Sequence, residues 1–284
     1  MRILVAEFED ALAGRSAPHR KAGRILKIIL FGSHARGDWV DDPAGGYFSD
    51  FDILVVVNHE ELTDVMEYWA QAEDHLVREQ TITGRIQTPV NFIVHSLSDV
   101  NAQLRRGRPF FVDLLRDAIA LYEAPHHPFD QPKRLSDEAA LEEAKASFNQ
   151  WFLSAEEFLL LARLANGEGL SNKTAFLLHQ ATEHLYHCTL LVLTLYSPKS
   201  HKLNRLRSSA EGVATSLIEA WPRDTRFAQR AFELLRRAYV EARYSPNFKI
   251  TDEELAWLMD RVGKLAQLVR QVCEVRLAQS SDAH

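Results

Sequence analysis

Apolar positions follow two different rhythms along this chain. In the first 124 residues they come in short, nearly unbroken runs: 24–31 (RILKIILF), 51–57 (FDILVVV) and 89–95 (PVNFIVH). Runs of this length, rich in β-branched residues and bounded by turn formers, predict strands. The second run is apolar almost throughout, which predicts a central strand covered on both faces. Residues 38–49, rich in Asp, Gly and Pro, predict a surface loop. Residues 60–78 carry Leu62, Val65, Met66, Trp69 and Leu76 at helical spacing. Ser98 is placed to cap a helix reaching residue 106, and 110–121 predicts a short helix and an edge strand.

The rhythm changes after EAPHHPFDQP (123–132), where three prolines in ten residues exclude a continuing helix or a central strand. Two domains are expected, 1–124 and 134–284. In the second, amphipathic segments predict helices over 136–166, 171–196, 204–221, 225–244 and 251–279. Asn166-Gly167 and Ser197-Pro198 serve as stops, and Thr251 with Glu254 forms a capping box.

Composition narrows the setting. Two cysteines, Cys188 and Cys273, exclude a disulfide framework and fit a reducing compartment. The N-terminus turns acidic at once, unlike a secretory leader, and the apolar run at 190–195 is too short to span a bilayer. A cytoplasmic protein without a membrane partner is expected. Net charge is -6, with 13 Lys and Arg against 20 Asp and Glu in residues 1–130. That acidic half disfavours nonspecific polyanion binding and suits a site that gathers cations. Residues 199–249 reverse the balance, with eleven basic against five acidic residues, and form the one basic stretch.

The chemistry concentrates in GSHARGD (32–38) and SDFDILV (49–55). A Gly-Ser turn directly after a strand lets backbone amides approach a phosphate, because Gly32 has no side chain to obstruct. Ser33 adds a hydroxyl donor, and Arg36 adds charge-assisted bonds to the same oxygens. Asp50 and Asp52 are two apart on a strand and project from one face toward the neighbouring turn. Such a pair supplies the hard oxygens that Mg²⁺ on a triphosphate requires, and metals so held can activate an attacking oxygen and stabilise departing pyrophosphate.

These two motifs resemble the nucleotidyltransferases of the DNA polymerase beta superfamily, in particular the minimal and the aminoglycoside nucleotidyltransferases. The resemblance implies a small mixed sheet flanked by helices. Gly32 and Ser33 would hold the nucleotide phosphates, and Asp50 and Asp52 the metal. The family's third acidic residue falls in PVNFIVH, where Asn91 takes the place. An uncharged amide there weakens a second metal site more than nucleotide binding. His95, on the same strand face, is a strand-end histidine or a compensating group.

The second half resembles HEPN domains, through AFLLHQATEHLYHCTLLVL (175–193), SPKSHKLNRL (197–206) and RRAYVEARYSPNFKITDEEL (236–255). Many HEPN domains are metal-independent ribonucleases with an Arg followed by a His four to six residues on. Here Arg236, Arg237 and Arg243 lack that His. Arg236 and Arg243, seven apart, share a helix face and can take a phosphate, but a guanidinium is no base near neutral pH. His201 is the nearby candidate. His179, His184 and His187 invite a metal reading, but no carboxylate partner is evident for them.

The expected fold class is therefore α+β, a nucleotidyltransferase sheet followed by an all-α HEPN bundle. The expected function is Mg²⁺-dependent transfer of a nucleoside monophosphate from an NTP, ATP foremost, to an unassigned acceptor. The alternatives are a catalytically weakened nucleotide-binding regulator of toxin–antitoxin type, and an RNA-binding or RNA-cleaving HEPN protein. A homodimer through the bundle is expected, because Phe176, Leu177, Leu185, Tyr186, Leu190, Leu191 and Leu193 ring one helix.

Overall fold

The computed structural model describes residues 1–14, 18–37, 39, 41–42, 47–198 and 200–278. The chain divides into two compact units, Met1–Leu135 and Ser136–His284. The proline-rich segment belongs to the first. Lys133 donates its backbone N–H to Leu104 at 2.9 Å, and Asp130 pairs with Arg105.

The first unit runs α1 (Arg2–Leu12), α2 (Pro18–Lys21), β1 (Ile25–Phe31), α3 (Ser33–Arg36), the short pair β2 (Asp41–Asp42) and β3 (Tyr47–Phe48), and β4 (Phe51–Val57). A 3₁₀ turn (Glu60–Thr63), α4 (Val65–Tyr68), α5 (Ala70–Thr81), β5 (Val90–Ser96), α6 (Leu97–Arg105), α7 (Pro109–Asp117) and β6 (Ile119–Glu123) follow. The sheet order is β5-β4-β1-β6, so the most apolar strands are the inner ones, as expected for 51–57. β4 pairs parallel with β5, while β1 is antiparallel to both β4 and β6. One face of the sheet, with Ile28, Ile53, Val55 and Phe92, packs against Leu4 and Phe8 of α1 and against Ala72 and Leu76 of α5. Phe8 stacks on Trp69 at 4.7 Å. The alternate positions Leu26, Leu54, Val56 and Ile93 are buried too, so both faces are covered.

Two sequence expectations change here. The single helix over 60–78 is broken. Asp64 restarts it by accepting the Glu67 N–H, and Trp69 leaves helical geometry to bury its ring and donate Nε1–H to Leu62 at 2.8 Å. The cap of the next helix is Ser96, not Ser98: Ser96 Oγ accepts the Asp99 N–H at 3.1 Å. The acidic N-terminus is a helix that carries two core residues. The expected loop over 38–49 is described at Trp39, at 41–42 and from residue 47 onward, and the rest of it lies outside the described residues.

The second unit is helical: α8 (Asp137–Gly167), α9 (Ser171–Thr194), α10 (Leu203–Val213), a 3₁₀ turn (Thr215–Ala220), α11 (Arg226–Tyr244) and α12 (Asp252–Ala278). The Thr251–Glu254 capping box forms in both directions, with backbone bonds of 2.9 and 3.2 Å. The helix expected over 204–221 divides at Ala214, whose backbone is extended (φ -143°, ψ 83°). Gln279, the expected end of the last helix, lies outside the described residues. α9 packs against α8, α10, α11 and α12, and Leu185, Tyr186 and Leu190 are buried among them. The apolar girth of α9 is thus largely used inside the unit, which removes the stated reason for placing a dimer interface on it. Four exposed leucines lie instead on α8: Leu153, Leu160, Leu161 and Leu164.

Candidate functional site

Strand directions bring the N-terminal motifs together. β1 ends at Phe31, opposite Asp52 at the start of its antiparallel neighbour. β5 runs parallel to β4 and starts at the same end, with Asn91 opposite Asp52. The Gly32–Ser33 turn, Asp50, Asp52 and Asn91 therefore gather at one end of the sheet. Gly32 is required twice over. Its φ of 76° lies in the left-handed region, and a Cβ there would stand 2.5 Å from Asp52 Oδ2. The missing side chain is what lets the carboxylate lie against the turn.

Asn91 Nδ2 donates to Asp50 Oδ2 at 2.8 Å, so the amide that replaces the expected third carboxylate orients the first one. Two carboxylates and an amide carbonyl are oxygen donors of the kind that Mg²⁺ takes, so the chemistry of the set fits such a cation. Arg36 is exposed on α3. Asp117 is held below the ordinary carboxylate range, mainly by its hydrogen bond with Arg116 and further by the charge of Arg36. This places Arg36 near the start of β6, at the same end of the sheet. His95 takes no part there. Its Nδ1 meets Asp99 Oδ2 at 2.6 Å and its ring lies edge-on to Phe111, four residues up the strand from Asn91.

The helical unit holds a second polar cluster, one that sequence reasoning saw only in part. Glu183 is buried on α9 between His179 and His187, one turn away on either side. Its Oε1 accepts from His201 Nδ1 at 2.8 Å and its Oε2 from Gln180 at 3.1 Å. Burial opposes its charge, but the nearby His179 ring and the hydrogen bond from His201 prevail and pull its pKa down to about 2. His187 donates or accepts through Nδ1 at Ser197 Oγ (2.6 Å), and burial pushes its pKa down to about 4. His184 turns away, against Trp151 and Phe158. The carboxylate missing from the histidine reading is thus Glu183. The i, i+4, i+8 spacing of 179, 183 and 187 is the signal that pointed to it. Among the described residues, no three His, Cys, Asp or Glu side chains are arranged to hold a metal ion.

Of the expected anion-binding trio, two members each contact the Tyr239 ring. The His201 ring stacks on Tyr239 at 4.8 Å, and the Arg243 guanidinium lies 4.4 Å from the centre of the same ring. Arg236 is tied to Glu233 on its own helix. Further along α11, Arg230, Glu233, Arg237, Asn247 and Lys249 line a polar cavity of about 270 Å³. Among the described residues, no helix is long and apolar enough to cross a membrane.

Comparison with known proteins follows this division. Residues 18–100 match the nucleotidyltransferase domain family, and residues 148–272 match the HEPN domain family. A stretch of 52 residues is 46% identical to the provisionally named protein adenylyltransferase MJ0604 of Methanocaldococcus jannaschii. That match covers 18% of this chain and 41% of the relative's length.

Proposed function

Because the chain joins a nucleotidyltransferase domain to a HEPN domain, we propose that it transfers a nucleoside monophosphate from ATP to a hydroxyl on a protein. The observation that carries this reading is the meeting of Gly32 with the Asp52 carboxylate at the sheet end, beside Asp50. The relative named as a protein adenylyltransferase favours ATP as donor and a protein as acceptor. In this reading Gly32 and Ser33 receive the phosphates through backbone amides and a hydroxyl. Asp50 and Asp52 hold Mg²⁺, Asn91 keeps Asp50 in orientation while offering a neutral oxygen, and Arg36 adds a phosphate contact. Bound Mg²⁺ supplies charge neutralisation for the triphosphate and for the departing pyrophosphate. Calorimetry with ATP, with and without Mg²⁺, together with pyrophosphate release, tests the assignment. ATP binding that ignores both Mg²⁺ and the double substitution Asp50→Ala, Asp52→Ala would sink it.

A second reading concerns the helical unit. His201, oriented by Glu183 and stacked on Tyr239 beside Arg243, can bind a phosphate of RNA, with Arg236 as an outlying contact. Protection of RNA from nuclease, lost in Arg243→Ala, is the check. A cytoplasmic homodimer completes the proposal, with α8 as the self-association surface in place of α9. Light scattering should give twice the 32.4 kDa chain mass. Leu160→Glu with Leu164→Glu should return it to one chain mass.

A further inference from the structure

The N-terminal site draws on two segments, and although the β1–β4 ladder holds Asp52 opposite Phe31, the Ser33 turn and Asp50 lie just outside that pairing. α3 is four residues long, too short to be stable as a helix on its own. Asp50 precedes β4, whose pairing starts at Phe51. His34 is a side chain that joins the two segments. His34, next to Ser33 in the turn, hydrogen-bonds through Nε2 to the Ser49 carbonyl at 3.1 Å. A carbonyl only accepts, so Nε2 carries the proton and donates it. The same imidazole lies on the Phe51 ring, centroids 4.2 Å apart and tilted by 35°, and nearly parallel to the Trp39 indole at 5.6 Å. Ser49 and Phe51 are the chain neighbours of Asp50. A residue of the phosphate turn thus touches both residues that flank the first carboxylate, and Ser49 is itself buried.

We propose that His34 is a positioning residue that sets the distance between the Gly32–Ser33 turn and the Asp50 carboxylate. This rests on the nucleotidyl-transfer reading above. The triphosphate is held by one segment and its cation by the other, so their separation decides whether the two are bound as a unit. An error of about 1 Å in such a separation can cost up to about a hundredfold in rate. His34 is not the base in this scheme: the nitrogen facing the site segment is committed as a donor to a backbone carbonyl. The ring contacts and the hydrogen bond make separable contributions, which distinguishes this role from mere packing.

The experiment compares wild type with His34→Ala, His34→Phe and His34→Gln. His34→Phe keeps the stack and loses the donor. His34→Gln keeps an N–H that can reach Ser49. Thermal melts establish that each variant is folded, and the phenylalanine variant covers the case in which alanine is not. Calorimetry then measures how much Mg²⁺ tightens ATP binding. Wild type and His34→Gln should show the same tightening, and His34→Phe should lose about tenfold of it. The rate of pyrophosphate release should fall about 30- to 100-fold in His34→Phe and recover in His34→Gln. Nitrogen NMR of the protein without metal or nucleotide should show His34 protonated at Nε2. Unchanged Mg²⁺ coupling in His34→Phe, or an Nδ1-protonated ring, overturns the positioning role while leaving the site intact. Failure of wild type to bind ATP overturns the nucleotidyl-transfer reading, and the positioning role falls with it.

Discussion

The two units solve opposite problems with a carboxylate. At the sheet end, Asp50 and Asp52 are half-buried, with a glycine turn and a neutral amide among their neighbours. In the bundle, Glu183 is buried and receives hydrogen bonds from Gln180 and His201, with His179 and His187 close by. A buried charge is tolerated only when its own chain compensates it, and the bundle does so with imidazoles. The rim pair lies at the end of the sheet, only half-buried. On the nucleotidyl-transfer reading, the difference is between a rim pair that receives a cation and a buried carboxylate held by side chains of its own bundle.

The largest expected effect tests the receiving side. Asp50→Ala with Asp52→Ala should lower nucleotidyl transfer by about a thousandfold, since metal neutralisation of a triphosphate contributes several kcal/mol. Pyrophosphate release measures it. The melting temperature without metal should hardly move, because the pair does not support the core. A large drop in metal-free stability would erase the contrast with Glu183.

A smaller effect, of up to about 3 kcal/mol, tests the internally compensated side. Burial lowers the His187 pKa from 6.5 to about 4. Between those values the unfolded chain binds a proton that the folded chain does not, so stability is complete above pH 6.5 and declines as pH falls toward 4. Glu183 acts in a separate window. Its pKa is depressed from 4.5 to about 2, so its contribution is present above 4.5 and is lost only as pH falls toward 2. Urea titrations of the full chain at pH 7 and pH 5 should show a decline in wild type that His187→Gln largely removes. Parallel curves for the two proteins would mean that His187 is not held neutral by its burial.

The same contrast explains what could be read from sequence. The rim site was legible because its pieces are contiguous. A strand that ends in Gly-Ser and a strand that begins Asp-x-Asp need only one antiparallel pairing to meet, and strand alternation put Asn91 in register with Asp52. The Glu183 cluster was half-legible. His179 and His187 stand out in the sequence and the spacing puts Glu183 on their face, but its partner His201 comes from a separate loop. Long-range partners of that kind leave no local pattern. The same holds for His34 and Ser49, for the inward turn of Trp69 that breaks a helix, and for α1, whose Leu4 and Phe8 are only two positions in an acidic segment. The division into a sheet unit and a helical unit was legible from rhythm alone. The dimer argument from α9 failed because a helix apolar all round is also what the centre of a bundle requires.

The smallest effect, about tenfold, asks how far Asn91 has moved the rim toward the internally compensated state. Asn91→Asp exchanges an N–H donor for a carboxylate 2.8 Å from Asp50 Oδ2. Without a cation the two oxygens repel or share a proton, which should lower the melting temperature of the metal-free protein slightly. With Mg²⁺ present the added charge becomes a third anionic ligand, and the penalty turns into tighter metal binding. The variant should therefore gain more stability from Mg²⁺ than wild type does, and pyrophosphate release should rise about tenfold, which is roughly 1.4 kcal/mol. Melting curves with EDTA and with Mg²⁺ separate the two halves of the prediction. A variant that is destabilised equally in both conditions, with transfer slowed, would show that Asn91 matters as the donor that orients Asp50. The neutral residue would then be part of a working site and not a weakness in it.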